Sequence, residues 1–186
     1  MTPTTRIFSG ERLPDTLRWQ IISGMRAAWP DEYRHNRRLW ISRPEFHPTY
    51  IVLMDGWFVL AHTVAIWKPL LHAEVTYMVY GLSMVFTYPD CRGQGYGRAI
   101  VRAGTAYIDQ QPDCDVAMLF CEPRLQAFYA QNDWCAMTEA TTLITRSDGS
   151  VGTTGEVLLM RFCSERGQHG RASFTQTPIQ FGDTTW

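Results

Sequence analysis

"DCRGQGYGRAI", residues 90–100, sets Gly93, Gly95 and Gly97 between Arg92 and Arg98. An apolar stripe at Ile100, Ala103, Gly104, Tyr107 and Ile108 follows at once, with the spacing of one helix face. Glycine has the most backbone freedom to lose on folding, so three in five positions suit neither a strand nor a helix interior. The stretch reads as a loop whose backbone is approached closely by something. A glycine-rich turn that opens a helix offers inward N–H groups and the positive end of the helix dipole, which suits a phosphate.

Working outward, "VTYMVYGLSMVFTY" ahead of the loop reads as one long strand or two short ones, with Gly81 as a bulge or kink. Behind the helix, "VAMLFC" is wholly apolar and reads as a strand buried on both faces. Pro123 opens a further helix over "RLQAFYAQN", which Asn132 stops in a left-handed conformation. "ATTLITR" and "GEVLLMRF" form a final hairpin joined by "SDGSVGTTG", and residues 164–186 read as an irregular polar tail.

In the first half, Pro14 opens a helix carrying Leu17, Ile21, Ile22, Met25 and Ala28, which ends at Pro30. A shorter polar helix is expected from Asp31 to about Trp40. Its "RHNRR" cluster, Arg34 to Arg38, is a solvated face or a local anion contact. "YIVLMDGWFVLAHTVAIW" reads as two strands about an Asp55-Gly56 turn, with "KPLLHAE" breaking the second. This order predicts a mixed sheet covered by helices.

Composition narrows the partners. The 186 residues carry a net charge of −1, which favours no polyanion, and nucleic acid is not expected as a partner. Five cysteines with no C-x-x-C spacing argue against a disulfide framework and a structural zinc site. A reducing cytoplasm is the expected compartment. The first residues lack the basic and apolar regions of a signal peptide, and no apolar stretch is long enough to span a membrane.

Three phosphate-binding schemes use a strand-loop-helix. A P-loop needs a lysine after its last glycine, and the only lysine is Lys68. A dinucleotide fingerprint counted from Gly93 meets Arg98 where its third glycine belongs. Asp113 and Asp115 stand where its ribose acid falls by count, but they precede a strand rather than follow one. The third scheme, [RQ]-x-x-G-x-[GA], is met by Arg92, Gly95 and Gly97.

With "VFTYPDCRGQGYGRAIV" and, about 25 residues on, "VAMLFC…FYAQNDW", the chain resembles the GNAT-type N-acetyltransferase superfamily over roughly residues 50–162. Asn132-Asp133 stand where a glycine commonly precedes the Trp of that motif. The resemblance implies an α/β (α+β) fold: a mixed, mostly antiparallel sheet splayed at the acetyl-CoA site and flanked by helices. It implies one such domain over residues 1–163, with 164–186 a tail packing on it. Acetyl-CoA is the implied cosubstrate, with no metal. Val85, Phe86 and Thr87 would offer main-chain hydrogen bonds to its pantetheine and acetyl groups. Arg92, Gly93, Gly95, Tyr96, Gly97 and Arg98 would meet its phosphates.

Tyr129 matches the family's thiol-protonating tyrosine. Ser83 stands where some relatives carry a glutamate base, so the base stays open among Glu74, Glu122, His62, His72, Asp183, the terminal carboxylate and a water relay. Cys121 stands at a strand end as a small buried hydrophobe or an acyl carrier; the family transfers directly, without a covalent enzyme intermediate. The ending "GDTTW" is similar to the tail of aminoglycoside 2'-N-acetyltransferases, with spacing that differs by a residue. It implies Asp183 and Trp186 as contacts to a small-molecule amine acceptor. The expected protein is an N-acetyltransferase, monomeric or homodimeric. The alternative is an acyl-CoA-binding sensor of the same fold without catalysis.

Overall fold

A computed structural model describes residues 2–34, 40–146 and 148–182. Its backbone groups into two compact units, Met1–Ile66 with Leu82–Tyr107, and Trp67–Gly81 with Ile108–Trp186. The fold is α/β, with a mostly antiparallel open sheet flanked by helices.

In the first unit, strands β1 (Thr4–Ser9), β2 (Thr49–Asp55), β3 (Phe58–His72) and β4 (Val75–Thr87) lie in that order, β3 and β4 running on into the second unit. Helix α1 (Asp15–Ala28) follows the predicted stripe, burying Leu17, Ile21, Ile22 and Met25. The polar helix is short, α2 (Pro30–Arg34); residues 35–39 of its predicted length, with Arg37 and Arg38, lie outside the described residues, and Trp40 is not helical. Helix α3 (Tyr96–Asp109) emerges from the glycine loop. A Cβ on Gly104 of α3 would meet the Leu82 and Thr63 side chains at 2.7 and 2.9 Å, so the helix lies hard against that face of the sheet.

"KPLLHAE" does not break the second strand: β3 runs to His72, and the turn is Ala73-Glu74. Both turn residues have positive φ, 47° and 63°, the geometry of a two-residue hairpin turn without its usual glycine or asparagine. The kink expected at Gly81 falls at Met84, whose φ is 51°. Leu82 packs toward α3 with Thr63, whereas Phe86 meets His62 edge-on, on the opposite face of β3. Regular alternation would put Leu82 and Phe86 on one face; the irregularity at Met84 inverts it.

In the second unit the order is β3-β4-β5-β9-β6, with β5 (Val116–Cys121), β6 (Cys135–Ala136) and β9 (Val157–Phe162). β5 is buried throughout, as its composition predicts. Its parallel ladder to β4 has three rungs, Val79↔Val116 to Gly81↔Met118, while its antiparallel ladder to β9 has six. Helix α4 (Gln126–Ala130) ends with Asp133, not Asn132, in the left-handed region at φ 61°.

The expected hairpin between the last two strands is absent. β7 (Thr142–Thr145) instead pairs with β8 (Val151–Thr153) and, in parallel, with β10 (Ile179–Gly182). Nor is 164–182 irregular: it forms helices α5 (Glu165–Gly170) and α6 (Ser173–Gln176), then β10. Its Phe174, Ile179 and Phe181 are buried in one cluster with Leu70, Met118 and Phe120. Among the described residues no helix is long and apolar enough to cross a membrane.

Candidate active site

The loop after β4 is built by short-range hydrogen bonds. Cys91 N donates to Tyr88 O at 2.9 Å and Arg92 N to Pro89 O at 3.1 Å, closing a single turn over Pro89–Cys91. Arg92 then reaches back, its Nε donating to Thr87 O at 3.2 Å. Gly93 and Gly95 have φ of 76° and 82°, a region that side chains bearing a Cβ rarely occupy. Apart from the glycine and its two chain neighbours, no heavy atom lies within 4 Å of where a Cβ on either would stand. The loop therefore presents bare backbone to open space.

Helix α3 starts on this loop, Ala99 N donating to Gly95 O at 3.0 Å. The N–H groups of Tyr96, Gly97 and Arg98 come before that bond, in the first turn, where a helix has no internal acceptor to offer. Arg92 and Arg98 are exposed on either side. An anion-binding cradle results, with backbone donors, the positive end of a helix dipole and two guanidinium groups. These residues fit a pyrophosphate, the charged part of acetyl-CoA.

Just upstream, Val85 and Thr87 are half-buried and Phe86 is buried. The Phe86 ring belongs to the core: its centroid lies 6.3 Å from Trp29, 5.8 Å from His62 and 4.9 Å from Tyr88. Only the main chain of Phe86 remains for a ligand. Tyr88 was not singled out from the sequence. Its hydroxyl donates to Gln20 O at 2.5 Å, tying the strand end to α1, and burial pushes its pKa up. Gly24 was the available signal, since a Cβ there would strike the Phe86 ring at 2.5 Å.

Tyr129 belongs to the second unit, on α4. It is 6% exposed, and its ring meets Phe128 edge-on at 5.1 Å. Burial, then the neighbouring Cys121, pushes its pKa well up, so the phenol keeps its proton throughout the physiological range. Cys121 is itself raised to about 11, first by burial and then by Glu156 and Glu122. A thiol so protonated is a poor nucleophile.

The base candidates fall in diverse settings. His62 is fully buried, and burial lowers its pKa to about 3. His72 is buried and stacked on Phe174 at 4.3 Å. Glu122 is exposed and bound by Arg124 at 2.6 Å, which lowers its pKa. Glu74 is an exposed turn residue, and Ser83 is buried, its carbonyl accepting from Thr63 Oγ1 at 3.1 Å. Asp183 and Trp186 lie outside the described residues. Asp113 and Asp115 are structural: Asp113 accepts from the Tyr80 hydroxyl at 2.9 Å, and Asp115 from Met78 N at 2.9 Å and Ser164 Oγ at 2.7 Å. Among the described residues no group of three or more His, Cys, Asp or Glu is placed to hold a metal ion.

The structure thus brings the nine predicted cosubstrate residues together in the first unit and sets Tyr129 in the second. Residues 15–134 match the family model described as acetyltransferase (GNAT) family. Among solved structures, the chain is similar to an acyl-CoA N-acyltransferase from Pseudomonas aeruginosa, at TM-score 0.62 and 13% identity over 86% of this chain and 99% of that one. It is similar to ElaA of Escherichia coli at TM-score 0.62 and 12% identity, over 86% and 98%. An acetyltransferase from Streptococcus agalactiae is similar at TM-score 0.55 and 11% identity, over 85% and 98%. At such identities these likenesses concern the fold. No curated protein matches the chain.

Proposed function

The chain belongs to the acetyltransferase (GNAT) family, and from that premise we propose that it transfers an acetyl group from acetyl-CoA directly to a primary amine of a small molecule. The observation that carries the reading is the loop. Gly93 and Gly95 sit at positive φ with open space before them, at the mouth of α3 and between two exposed arginines. A structural turn alone has no use for that arrangement.

Acetyl-CoA supplies the activated acyl group and a thiolate leaving group. In this proposal Gly93, Gly95, Tyr96 and Gly97 bind its pyrophosphate through main-chain N–H groups, aided by Arg92 and Arg98. Val85 and Thr87, with the main chain of Phe86, align the acyl arm, and an N–H of Phe86 or Thr87 faces the acetyl carbonyl as an oxyanion donor. Tyr129 stabilises the departing thiolate. A buried phenolate is unfavourable, so Tyr129 is suited to donate a strong hydrogen bond and leave the final proton to solvent.

With Glu122 held low by Arg124 and His62 held low by burial, amine deprotonation falls to a water relay. Cys121, kept protonated, supports direct transfer without an acyl-enzyme. Asp183 and Trp186 are proposed as acceptor contacts, and an aminoglycoside-like amine is one acceptor that would suit them. A reducing cytoplasm, a monomer or homodimer, and a single domain with a packed tail complete the reading.

The test is acetyl-CoA turnover, followed as free thiol, across a panel of small amines, aminoglycosides included. Amine-dependent release is expected, and Tyr129→Phe should lower kcat by ~10²-fold, the scale for losing one hydrogen-bond donor to developing charge, with acetyl-CoA affinity retained. Tight acetyl-CoA binding with no turnover on any amine would favour the sensor reading instead.

A further inference from the structure

We propose that Cys163 and Cys114 form a peroxide-oxidisable thiol pair, in which exposed Cys163 reacts and buried Cys114 resolves it as a reversible disulfide. The β5–β9 ladder places them. Its end rung is Val116↔Phe162, and one step beyond it Cys163 N donates to Asp115 O at 2.9 Å. Cys114 and Cys163 flank that step from opposite strands, near enough for each thiol to shift the ionisation of the other, while the Cys114 S–H is directed at Val116 O, 3.5 Å away. Both line one cleft of about 570 Å³, together with Arg161, Asp109 and Cys135.

Exposure divides the roles. Cys163 is open to solvent, so a small oxidant reaches it, whereas Cys114 is 3% exposed. The surroundings favour a thiolate at Cys163. The neighbouring Cys114 thiol lowers its pKa most, and the Arg161 guanidinium adds to that against partial burial and Asp109. Arg161 is itself held by Asp109, Nη2 to Oδ1 at 2.8 Å, and its Nη1 donates to Asn132 O at 3.2 Å. Cys114 is raised, first by the neighbouring Cys163, then by burial and by Asp113 and Asp115. An accessible thiol beside a buried one in the same cleft is the arrangement of an attacking and a resolving cysteine, and the lowered pKa of Cys163 agrees with it.

The chemistry balances with hydrogen peroxide as oxidant. The Cys163 thiolate attacks one peroxide oxygen; an S–O bond forms, the O–O bond breaks, and hydroxide leaves to take up a proton as water. Cys114 then loses its proton and attacks the Cys163 sulfur. The S–S bond forms, the S–O bond breaks, and the hydroxyl departs as a second water. Two thiols are oxidised and one peroxide is reduced. Such a bond in a reducing compartment is transient, which fits a modification site rather than a structural bridge.

The full chain, fully reduced, is exposed to hydrogen peroxide, quenched by alkylation and mapped by peptide mass spectrometry. One Cys114–Cys163 disulfide is expected, reversed by dithiothreitol, with Cys163 consumed at least ~10-fold faster than Cys135, which is also exposed. In Cys163→Ser, Cys114 should stay reduced. In Cys114→Ala, Cys163 should stop as a sulfenic acid that dimedone captures. Equal oxidation of Cys163 and Cys135, or a disulfide to Cys135, would overturn the proposal. The wild-type map decides this even if Cys114→Ala does not fold.

Discussion

At the scale of the residue, His62 is a buried group with a chemical consequence for the whole fold. Both its ring nitrogens lack a partner among the described residues, and its ring meets Phe86 edge-on. Burial depresses its pKa from 6.5 to about 3. Its folded value lies below its unfolded one, so the unfolded chain takes the proton first as pH falls. The contribution of His62 is complete above pH 6.5 and is lost toward pH 3, at roughly 1.4 kcal/mol per pH unit. Urea unfolding between pH 7 and pH 4.5 should show this slope in the native chain and a shallower one in His62→Leu. Identical slopes would mean that the unpartnered imidazole does not govern acid stability. The same low pKa is what makes His62 a poor base for an amine.

Among the elements, the loop between β4 and α3 carries the most functional weight for its length. Its two left-handed glycines, at φ 76° and 82°, are required twice over, by backbone geometry and by the bare surface they leave. Gly95→Val adds a branched side chain at a position that costs about 1–2 kcal/mol in local strain, and it occupies the space proposed for the pyrophosphate. The loop is exposed, so the variant should still fold. Calorimetry should then find CoA binding weakened by ~10-fold or more, the worth of one or two charge-assisted hydrogen bonds. A folded Gly95→Val with native CoA affinity would remove the loop from the cosubstrate site. Gly93, with the same geometry, is the second position at which to repeat the measurement.

For the whole molecule, the C-terminal segment is the main question of organisation. Phe174 is wholly buried, stacked on His72 at 4.3 Å and packed on Tyr77 at 5.1 Å. The Lys68 ammonium lies over the Phe181 ring at 3.7 Å and donates to the Phe181 carbonyl. Residues 164–182 are therefore part of the core of the second unit. Phe174→Ala should cost ~3–5 kcal/mol by cavity formation, read as a fall in the denaturant midpoint. Removing residues 183–186 asks a different question, because Asp183 and Trp186 are proposed as acceptor contacts. That truncation should raise the acceptor KM and leave the acetyl-CoA KM unchanged. A shortened chain with native acceptor kinetics would assign the acceptor pocket to other residues.

Local signals in the chain determined the strand-loop-helix at residues 85–109, the stripe of α1 and the buried β5. Each follows from chemistry carried within one window: helical spacing, a wholly apolar run, or glycines where a Cβ is not tolerated. The spacing of Arg92, Gly95 and Gly97 was equally legible, because a phosphate cradle is built from consecutive residues. Tertiary structure alone decided the rest. β1 is polar and almost wholly exposed, and it is a strand only because β2 offers it an edge. Ala73-Glu74 turns without glycine because the strands it joins hold it there. Met84 takes the kink in place of Gly81 because Leu82 and Phe86 must pack on opposite faces. β7 and β9 read alike as hairpin partners, yet β9 finds β5 and β6 while β7 finds β8 and β10. The burial of His62 and the meeting of Cys114 with Cys163 have the same origin. Each depends on residues distant in the chain, whose pairing is set by the edges and volumes left open as the core closes, and no local pattern encodes that.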